Sequence, residues 1–354
     1  MSATTKIANP SIHRLWTIQP TPALPLFVAV NRGCNLKCWY CTESGENRFP
    51  DGGRLSAPRL LQILDAAYES GVRCFRFTGG EPTHRRSLPG ILRATQALGD
   101  DVRVAITTNG SRLDELLPTL SELCEPMVFL SVDGVDPAAS RDAGFQIEKW
   151  LTPRLVDLID AMPETAGVRL NYVLTASSIA QLDPLLEYST DRGIDLKVFE
   201  LLLRDFYYAG DRPRLDVFRE QYVPIRSLLP RLRRRFGRPR PFGGTGGRGI
   251  PMWAFDTGNS RVVYFDSAEG SHYGKICRDC PLFPCQEGLY ALVLDANGVL
   301  HPAGCTNKHL RSHLGIATRR NLLASFRRLQ GAIATSTLQR VVPDFVESSP
   351  SRSA

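Results

Sequence analysis

The sequence predicts an α/β fold, a partial (β/α)6 TIM-like barrel followed by a small C-terminal domain. Three observations support this fold: β-branched apolar runs alternate with amphipathic stretches, the alternation stops after about residue 204, and the composition is globular. Hydrophobic residues are 43% and charged residues 22% of the 354 residues, which excludes wholesale disorder. Strand–helix alternation predicts parallel strands with helices outside them and a site at the carboxyl ends of the strands.

Short apolar runs and amphipathic stretches define the barrel elements in chain order. The predicted strands are Leu26–Val30, Arg73–Phe77, Val102–Thr107, Met127–Val132, Val168–Leu174 and Leu196–Leu201. The predicted helices are Ser56–Ser70, Ser87–Leu98, Ser111–Cys124, Ile147–Ala161 and Ile179–Arg192. In the first helix, Ser56 is a suitable N-cap. Pro58 fits the first turn, because the backbone N–H groups of that turn have no intrahelical acceptor and proline lacks only this N–H.

The C-terminal part has a different pattern. A charged helical stretch covers Leu215–Phe236, strands are expected at Arg261–Phe265 and Tyr290–Leu294, a turn at Asp295–Gly298 and a helix at Leu322–Leu329. We therefore expect an N-terminal extension at 1–23, the barrel at 24–204, a C-terminal region at 205–330 and a partly disordered tail at 331–354. The C-terminal region is expected to close over the barrel mouth.

Charge and hydropathy narrow the function classes. The net charge is +7, from 43 Lys and Arg against 36 Asp and Glu, which suits an anionic ligand. No apolar run approaches the roughly 18–20 residues that a membrane helix needs, and the N-terminus lacks the pattern of a secretory signal. We expect a cytoplasmic protein without a membrane partner. Clustered cysteines in that compartment are more often metal ligands or catalytic groups than disulfides.

The first cysteine group follows the first predicted strand. Cys34, Cys38 and Cys41 are spaced C-x3-C-x2-C. Three thiolates on one loop can hold three irons of a cubane cluster and leave one iron open for a ligand. Structural zinc usually takes four ligands, so a zinc loop or chance spacing is the alternative.

A glycine-containing turn follows the second predicted strand. Residues 78–83 read TGGEPT, with Gly79, Gly80, Glu81 and Pro82 at its centre. Adjacent glycines allow close backbone approach, and a carboxylate here can accept hydrogen bonds from an ammonium group. Taken alone, the segment favours a tight strand-to-helix turn.

Together the two motifs resemble those of the radical S-adenosylmethionine (SAM) enzymes. The resemblance implies a [4Fe-4S] cluster at the three cysteines, whose open iron is chelated by SAM, with Tyr40 as the aromatic residue before the last cysteine. It implies reductive cleavage of SAM to a 5′-deoxyadenosyl radical that abstracts hydrogen from a substrate. In the family the GGEP segment binds the amino group of SAM. Weaker matches imply that three further polar residues face SAM or the substrate: Thr108, Ser131 and Asn171.

The second cysteine group is spaced C-x2-C-x4-C-x19-C and comprises Cys277, Cys280, Cys285 and Cys305. Four cysteines can hold a second cluster, which we favour as [4Fe-4S], or a zinc ion. The arrangement resembles the GTP 3′,8-cyclase branch, in which an auxiliary cluster lies near the substrate. That resemblance implies ligation by Cys277, Cys280 and Cys305. Cys285 is then either a further ligand or a thiol that donates hydrogen.

The sequence departs from the cyclase pattern where arginines are expected to grip GTP. Ala291 and Val293 stand in the predicted strand before the Asp295–Gly298 turn, and Phe27 stands seven residues before Cys34. A triphosphate site should keep its forked donors, so we favour another substrate. Other substrate candidates are Arg85, Arg86, Arg248 and Trp253. Ordinary structural explanations remain favoured for all four: solvated charge for Arg85 and Arg86, a linker for Arg248 and core packing for Trp253.

The resulting hypothesis is a radical SAM enzyme acting on a small polar substrate that resembles a nucleotide, sugar or amino acid. The expected partners are that substrate and a reducing protein such as flavodoxin or ferredoxin. The alternatives are the GTP 3′,8-cyclase, a peptide-modifying relative, and a zinc-containing nucleic-acid-binding module. The basic run RLRRRFGRPRP suits the last alternative, but we favour a solvated helix for it and expect no nucleic-acid partner.

Overall fold

The fold is described from a computed structural model. It describes residues 24–41, 55–135, 149–202, 212–242, 250–273, 277, 283, 289–303, 305, 310–334 and 339–341. Of the predicted site residues, Arg248, Cys280 and Cys285 lie outside these ranges. Within the described residues, no helix is both long and apolar enough to cross a membrane.

Fourteen strands and eight α-helices form the described part of the chain. The strands are β1 Leu26–Ala29, β2 Cys74–Thr78, β3 Arg103–Thr108, β4 Met127–Ser131, β5 Gly167–Leu174, β6 Asp195–Glu200, β7 Arg240–Pro241, β8 Met252–Asp256, β9 Arg261–Phe265, β10 Ser271–Tyr273, β11 Leu292–Leu294, β12 Val299–Pro302, β13 Ser312–His313 and β14 Gln339–Val341. The helices are α1 Ala57–Glu69, α2 Leu88–Gln96, α3 Leu117–Glu122, α4 Pro153–Asp160, α5 Leu182–Arg192, α6 Arg212–Gln221, α7 Leu229–Phe236 and α8 Arg319–Ala334.

Twelve of the strands form one open sheet in the order β13-β12-β11-β1-β2-β3-β4-β5-β6-β9-β8-β7. Strands β1 to β6 are parallel neighbours in chain order, as the partial barrel predicts. The C-terminal strands extend both edges of this sheet, because β11 pairs in parallel with β1 and β9 in parallel with β6. Strands β7 to β9 and β11 to β13, all after residue 204, therefore continue the barrel sheet at its two edges.

Each barrel strand has two chemically different faces. One face, which we call the outer face, packs against the helices and forms the main core, as with Phe75 and Phe77 of β2 and Leu170 of β5. Because side chains alternate along a strand, the residues between them lie on the opposite face, which we call the inner face. The inner face carries the polar and aromatic residues described below.

Two helix predictions need correction. The helix expected at Ile147–Ala161 begins at Pro153, because Thr152 accepts a hydrogen bond from the Leu155 backbone N–H and acts as the N-cap. Residues 147–148 lie outside the described residues. The stretch Leu215–Phe236 contains two helices and an intervening 3-10 turn, Ile225–Ser227, which follows Pro224. Proline lacks the N–H that a continuous helix would need there.

The direction of β12 places Cys305 of the second group and the first cysteine loop at opposite ends of β1. Strand β11 pairs in parallel with β1, and β12 pairs antiparallel with β11, with Pro302 opposite Leu292 and Leu292 opposite Leu26. Pro302 therefore lies near the amino end of β1, and Cys305 follows three residues later. The expectation that the C-terminal part closes over the carboxyl mouth is wrong for this segment.

Candidate functional site

The first cysteine loop packs directly on the glycine turn after β2. The Gly80 backbone N–H donates to Asn31 O at 3.1 Å, and the Glu81 N–H donates to Gly33 O at 2.9 Å. A Cβ at Gly79, where φ is +146°, would lie 2.5 Å from Asn31 O, and a Cβ at Gly80 would lie 2.2 Å from Gly33 O. Any side chain at either position would displace the loop that carries the cysteines.

Glu81 organises this end of the sheet through its carboxylate. Its Oε1 accepts hydrogen bonds from Thr83 and from Thr108 Oγ1, and its Oε2 accepts one from the Asn109 backbone N–H. The side chain is only 1% exposed. The geometry supports a positioning role between β2 and β3, and direct contact of Glu81 with the SAM ammonium group stays a prediction. Pro82 is buried in the 3-10 turn that follows.

The three thiols of the first group differ in exposure. Cys34 and Cys41 are exposed and Cys38 is buried. Asn109 holds the loop through a hydrogen bond from Nδ2 to Asn35 Oδ1 at 3.0 Å, and the same amide lies 3.7 Å from Cys34 Sγ. The loop is therefore tied to the ends of both β2 and β3.

These residues fit the donor set of an iron–sulfur cluster. Three thiols on one loop, held against a turn that admits no side chain, leave room for a shared ligand on the exposed side. Among the described residues, no three His, Cys, Asp or Glu side chains converge as they would around a single metal ion. A cubane distributes its protein ligands over separate irons, so convergence on one ion is not the geometry that it requires.

Three inner-face residues form a row across β4, β5 and β6, level with the carboxyl end of β4. Ser131 pairs in register with Asn171, and Asn171 with Lys197. Asn171 is 7% exposed, and its Oδ1 has no hydrogen-bond partner among the described residues. A buried carbonyl oxygen without a partner is costly in a free protein, so this row has the character of a ligand-binding surface.

Two arginines lie on either side of one aromatic ring on the inner face. The guanidinium of Arg76 lies 4.5 Å from the Phe129 ring centroid, and that of Arg169 lies 4.1 Å from it. Arg76 Nε also donates to Thr107 Oγ1 at 2.6 Å. Arg169 Nε is buried and has no hydrogen-bond partner within the described part of the chain. Cation–π contact stabilises both guanidinium groups without neutralising them.

Lys197 adds a third cation beside these arginines. Its Nζ lies 3.4 Å from Met252 Sδ and 4.4 Å from the Phe199 ring centroid. Burial lowers the pKa of Lys197 well below its ordinary value, and the charges of Arg169 and Arg76 lower it further. The adjacent carboxylate of Asp195 is already bound by Arg261 at 2.8 Å. This part of the inner face therefore has an excess of positive charge.

The predicted substrate residues occupy different surroundings. Arg85 is 2% exposed and donates to Val30 O at 2.6 Å and Leu55 O at 3.0 Å, so its predicted substrate contact is not supported. Arg86 is exposed. Trp253 packs against the outer-face core and donates to Glu269 at 3.0 Å. Because side chains alternate along β8, Met252 rather than Trp253 lies on the inner face.

Two members of the second cysteine group are described. Cys277 follows β10 and Cys305 follows β12, and both are partly buried against the main core. Phe27, Ala291 and Val293 form a separate apolar cluster on the inner face with Tyr290 and Ala303. The positions where the cyclase pattern has arginines are therefore packed together as an apolar wall.

Sequence reasoning missed the inner-face cations. The available signal was a charged residue inside a buried parallel strand, as in CFRFT, GVRLNYVL and DLKVFE. Parallel strands covered on both faces are normally almost continuously apolar. A lysine or arginine in the middle of such a strand therefore marks a site.

Comparison with known proteins identifies one matching family model and several similar relatives. Residues 28–155 match the Radical SAM superfamily model. A probable GTP 3′,8-cyclase of Sulfurisphaera tokodaii is 30% identical over 213 residues, which cover 58% of this chain and 63% of the relative. The GTP 3′,8-cyclase of Corynebacterium glutamicum strain R is 29% identical over 269 residues, covering 73% and 68%. The chain thus spans only about two thirds of the length of these relatives.

A solved structure shares the fold. Streptococcus suis SuiB bound to S-adenosylmethionine superposes with a TM-score of 0.55 at 16% identity, covering 92% of this chain and 70% of that chain. The family implies SAM and a [4Fe-4S] cluster as cofactors. Residues 28–155 therefore match a Radical SAM domain, in a chain whose relatives are named GTP 3′,8-cyclases, and these similarities indicate an enzyme.

Proposed function

We propose that this enzyme abstracts hydrogen from a small anionic substrate in a biosynthetic pathway. When bound, a [4Fe-4S] cluster and SAM supply reductive cleavage of the sulfonium and a 5′-deoxyadenosyl radical. Cys34, Cys38 and Cys41 are the proposed ligands of that cluster. The observation that carries the substrate part of the proposal is the pair of cations, Arg169 and Lys197, on the inner face next to Asn171.

The chain's own residues position the cofactors at the carboxyl ends of β1 to β5. The backbone of Gly79 and Gly80 fixes the cysteine loop, and Glu81 fixes Thr108 beside it. Ser131 and Asn171 offer a hydroxyl and a partnerless amide oxygen in one row. We assign this row, together with Tyr40, to SAM binding.

The inner-face cations are suited to an anionic group of the substrate. A guanidinium stays protonated in proteins, so Arg169 presents a fixed positive charge. Lys197 has a lowered pKa because its surroundings disfavour another cation. An anion bound between Arg169 and Lys197 offsets that repulsion and favours the protonated ammonium. A phosphate or carboxylate therefore satisfies both groups.

A second iron–sulfur cluster at Cys277, Cys280 and Cys305 is part of the proposal. Strand register places Cys305 near the amino end of β1, whereas the first cysteine loop follows its carboxyl end. A substrate at the inner-face cations would lie between the two cysteine groups. Cys285 is proposed either as a further ligand or as a hydrogen donor to the substrate.

GTP is the alternative substrate, because the relatives are named GTP 3′,8-cyclases. The inner-face cations suit one phosphate group of GTP. The apolar cluster of Phe27, Ala291 and Val293 removes the forked donors that a triphosphate needs. We therefore favour a substrate with fewer charges and an apolar or uncharged part facing this cluster. A peptide substrate and a zinc-containing nucleic-acid-binding module have no support from a specific contact in the described residues.

The proposal requires an electron donor of low potential, such as flavodoxin or ferredoxin, in the cytoplasm. The first test uses protein reconstituted without oxygen, with SAM and dithionite, and measures 5′-deoxyadenosine with and without GTP. Slow formation in both samples supports the proposal with a substrate other than GTP, and strong stimulation by GTP favours the cyclase. Absence of 5′-deoxyadenosine, with zinc bound in place of iron, would refute the radical enzyme.

A further inference from the structure

A buried ammonium lies beside the first cysteine loop. Lys149 Nζ donates to the Tyr40 hydroxyl at 2.6 Å and lies 3.7 Å from Asp133 Oδ2. Its side chain is 15% exposed and that of Asp133 is 3% exposed. The ammonium also lies 4.7 Å from the Tyr40 ring centroid, within cation–π range.

The three side chains form one chain of hydrogen bonds. The ammonium of Lys149 donates to the Tyr40 oxygen, and the Tyr40 hydroxyl donates to Asp133 Oδ2. Burial, followed by the charge of Asp133, raises the pKa of Tyr40 well above its ordinary value, so the phenol stays a neutral donor. The network therefore contains one fixed cation and one fixed anion.

The backbone holds both ends of this network in place. The Asp133 N–H donates to Lys149 O at 2.7 Å, and the Leu151 N–H donates to Gly134 O at 2.8 Å. Lys149 is thereby tied to the segment that follows β4, although residues 136–148, which lie outside the described ranges, separate the two along the chain. Tyr40 and Trp39 pack against the apolar cluster of Leu201, Phe218 and Tyr222.

The cation is placed where it acts on two cysteine ligands. Tyr40 immediately precedes Cys41, and the Cys41 N–H donates to Cys38 O at 2.9 Å. The charges of Cys38 and Cys41 act on both Lys149 and Tyr40. For Lys149, burial lowers the pKa, but the negative charges of Asp133, Cys38 and Cys41 outweigh that effect and leave it raised.

We propose that Lys149 is a positioning residue that sets the reduction potential of the first cluster by placing a fixed positive charge beside Cys38 and Cys41. This inference rests on the proposed cluster at the first cysteine group. The cluster gains one electron from the external donor and therefore one unit of negative charge. A nearby cation favours that reduced form, and Asp133 opposes it. No bond in the network forms or breaks, and no proton moves.

The test is a potentiometric titration with dithionite and redox mediators, followed by electron paramagnetic resonance of the reduced cluster. Lys149→Met should lower the equilibrium constant for reduction on the order of tenfold, about 59 mV for one electron. Asp133→Asn should shift the potential in the opposite direction. Lys149→Arg keeps the charge and should remain near wild type.

Lys37 supplies a matched control, because it is exposed on the same loop. Lys37→Met makes the same chemical change at an exposed position. Any shift in the reduction potential that it causes should vanish as the salt concentration approaches about 1 M, since exposed charges are screened. The Lys149→Met shift should persist at that salt concentration, because the ammonium is buried.

The outcomes separate this inference from the proposed function. If the wild-type protein holds no reducible cluster, the proposed function fails. If wild type has a reducible cluster but Lys149→Met and Asp133→Asn leave the potential unchanged, or shift it the same way, the inference is overturned. Iron loss in Lys149→Met with retention in Lys149→Arg supports the need for a cation. Iron loss in both Lys149→Met and Lys149→Arg, together with a wild-type reduction potential in Asp133→Asn, overturns the inference.

Discussion

Replacing Lys197 by methionine should stabilise the free protein and weaken its binding of anions. The register places Arg169 opposite Asp195 and Asn171 opposite Lys197, so Arg169 and Lys197 are diagonal neighbours on the inner face. Diagonal neighbours are separated by about 7–8 Å. At an effective dielectric constant of about 20, two like charges at that distance repel by roughly 2 kcal/mol.

The net gain in the free energy of unfolding of Lys197→Met should be smaller than this repulsion. Lys197 has a lowered pKa, so part of the repulsion is already relieved by loss of its proton. Methionine keeps the unbranched shape and can pack against Met252, but it loses the hydrogen bond that Lys197 Nζ donates to Met252 Sδ at 3.4 Å. We expect a gain of about 1–2 kcal/mol, which raises the melting temperature by roughly 2–4 °C or somewhat less in a chain of this size.

Thermal unfolding followed by circular dichroism, with and without sodium pyrophosphate at constant ionic strength, measures both effects. Wild type should be stabilised by pyrophosphate, and Lys197→Met should melt higher without it and respond little to it. Lys37→Met, on an exposed side chain, should match wild type in both conditions. A Lys197→Met variant that melts at or below wild type and is stabilised equally by pyrophosphate would refute the reasoning.

Four further predictions follow from single side chains. Gly80→Ala should reduce iron content and 5′-deoxyadenosine formation at least tenfold, because its Cβ would lie 2.2 Å from Gly33 O, whereas Gly90→Ala, with nothing within 4 Å, should leave both unchanged. Cys38→Ala should abolish 5′-deoxyadenosine formation, and normal formation would contradict the ligand assignment. Cys285→Ala should lower iron content by about one cluster if Cys285 is a ligand; unchanged iron with lost substrate turnover would indicate hydrogen donation. Burial raises the pKa of Glu200 to about 7, so its contribution to stability is present at low pH and is lost as pH rises through 7. Melting temperatures from pH 5 to 8 should therefore fall more steeply in wild type than in Glu200→Gln.

The six barrel strands were predictable because each is buried on its outer face. Runs such as those at Met127–Ser131 and Gly167–Leu174 are apolar enough to identify from the sequence alone. Helix α1 was equally predictable, since Ser56 accepts a hydrogen bond from the Arg59 N–H as expected. These features depend on residues within one turn or one strand of each other.

Pairing across long sequence separations was not predictable. Strand β11 joins β1 across more than half of the chain, and no local pattern specifies that partner. The position of Cys305 at the amino end of the sheet depends on this pairing and on the antiparallel direction of β12. Lys149 likewise meets Tyr40 only because residues after β4 return to the cysteine loop.

The inner face is divided between charge and apolar surface, and this division constrains the substrate. Arg169 and Lys197 lie on β5 and β6, whereas Phe27 and Val293 lie on β1 and β11 across the sheet. Uncompensated cations reduce stability in the free protein, and such a cost persists in natural proteins mainly at functional sites. A substrate with one anionic end satisfies the cations while its less polar part contacts the apolar wall. A uniformly charged triphosphate chain would press phosphate groups against these apolar side chains, which costs binding energy even with the Arg76 guanidinium 5.0 Å from the Phe27 ring centroid.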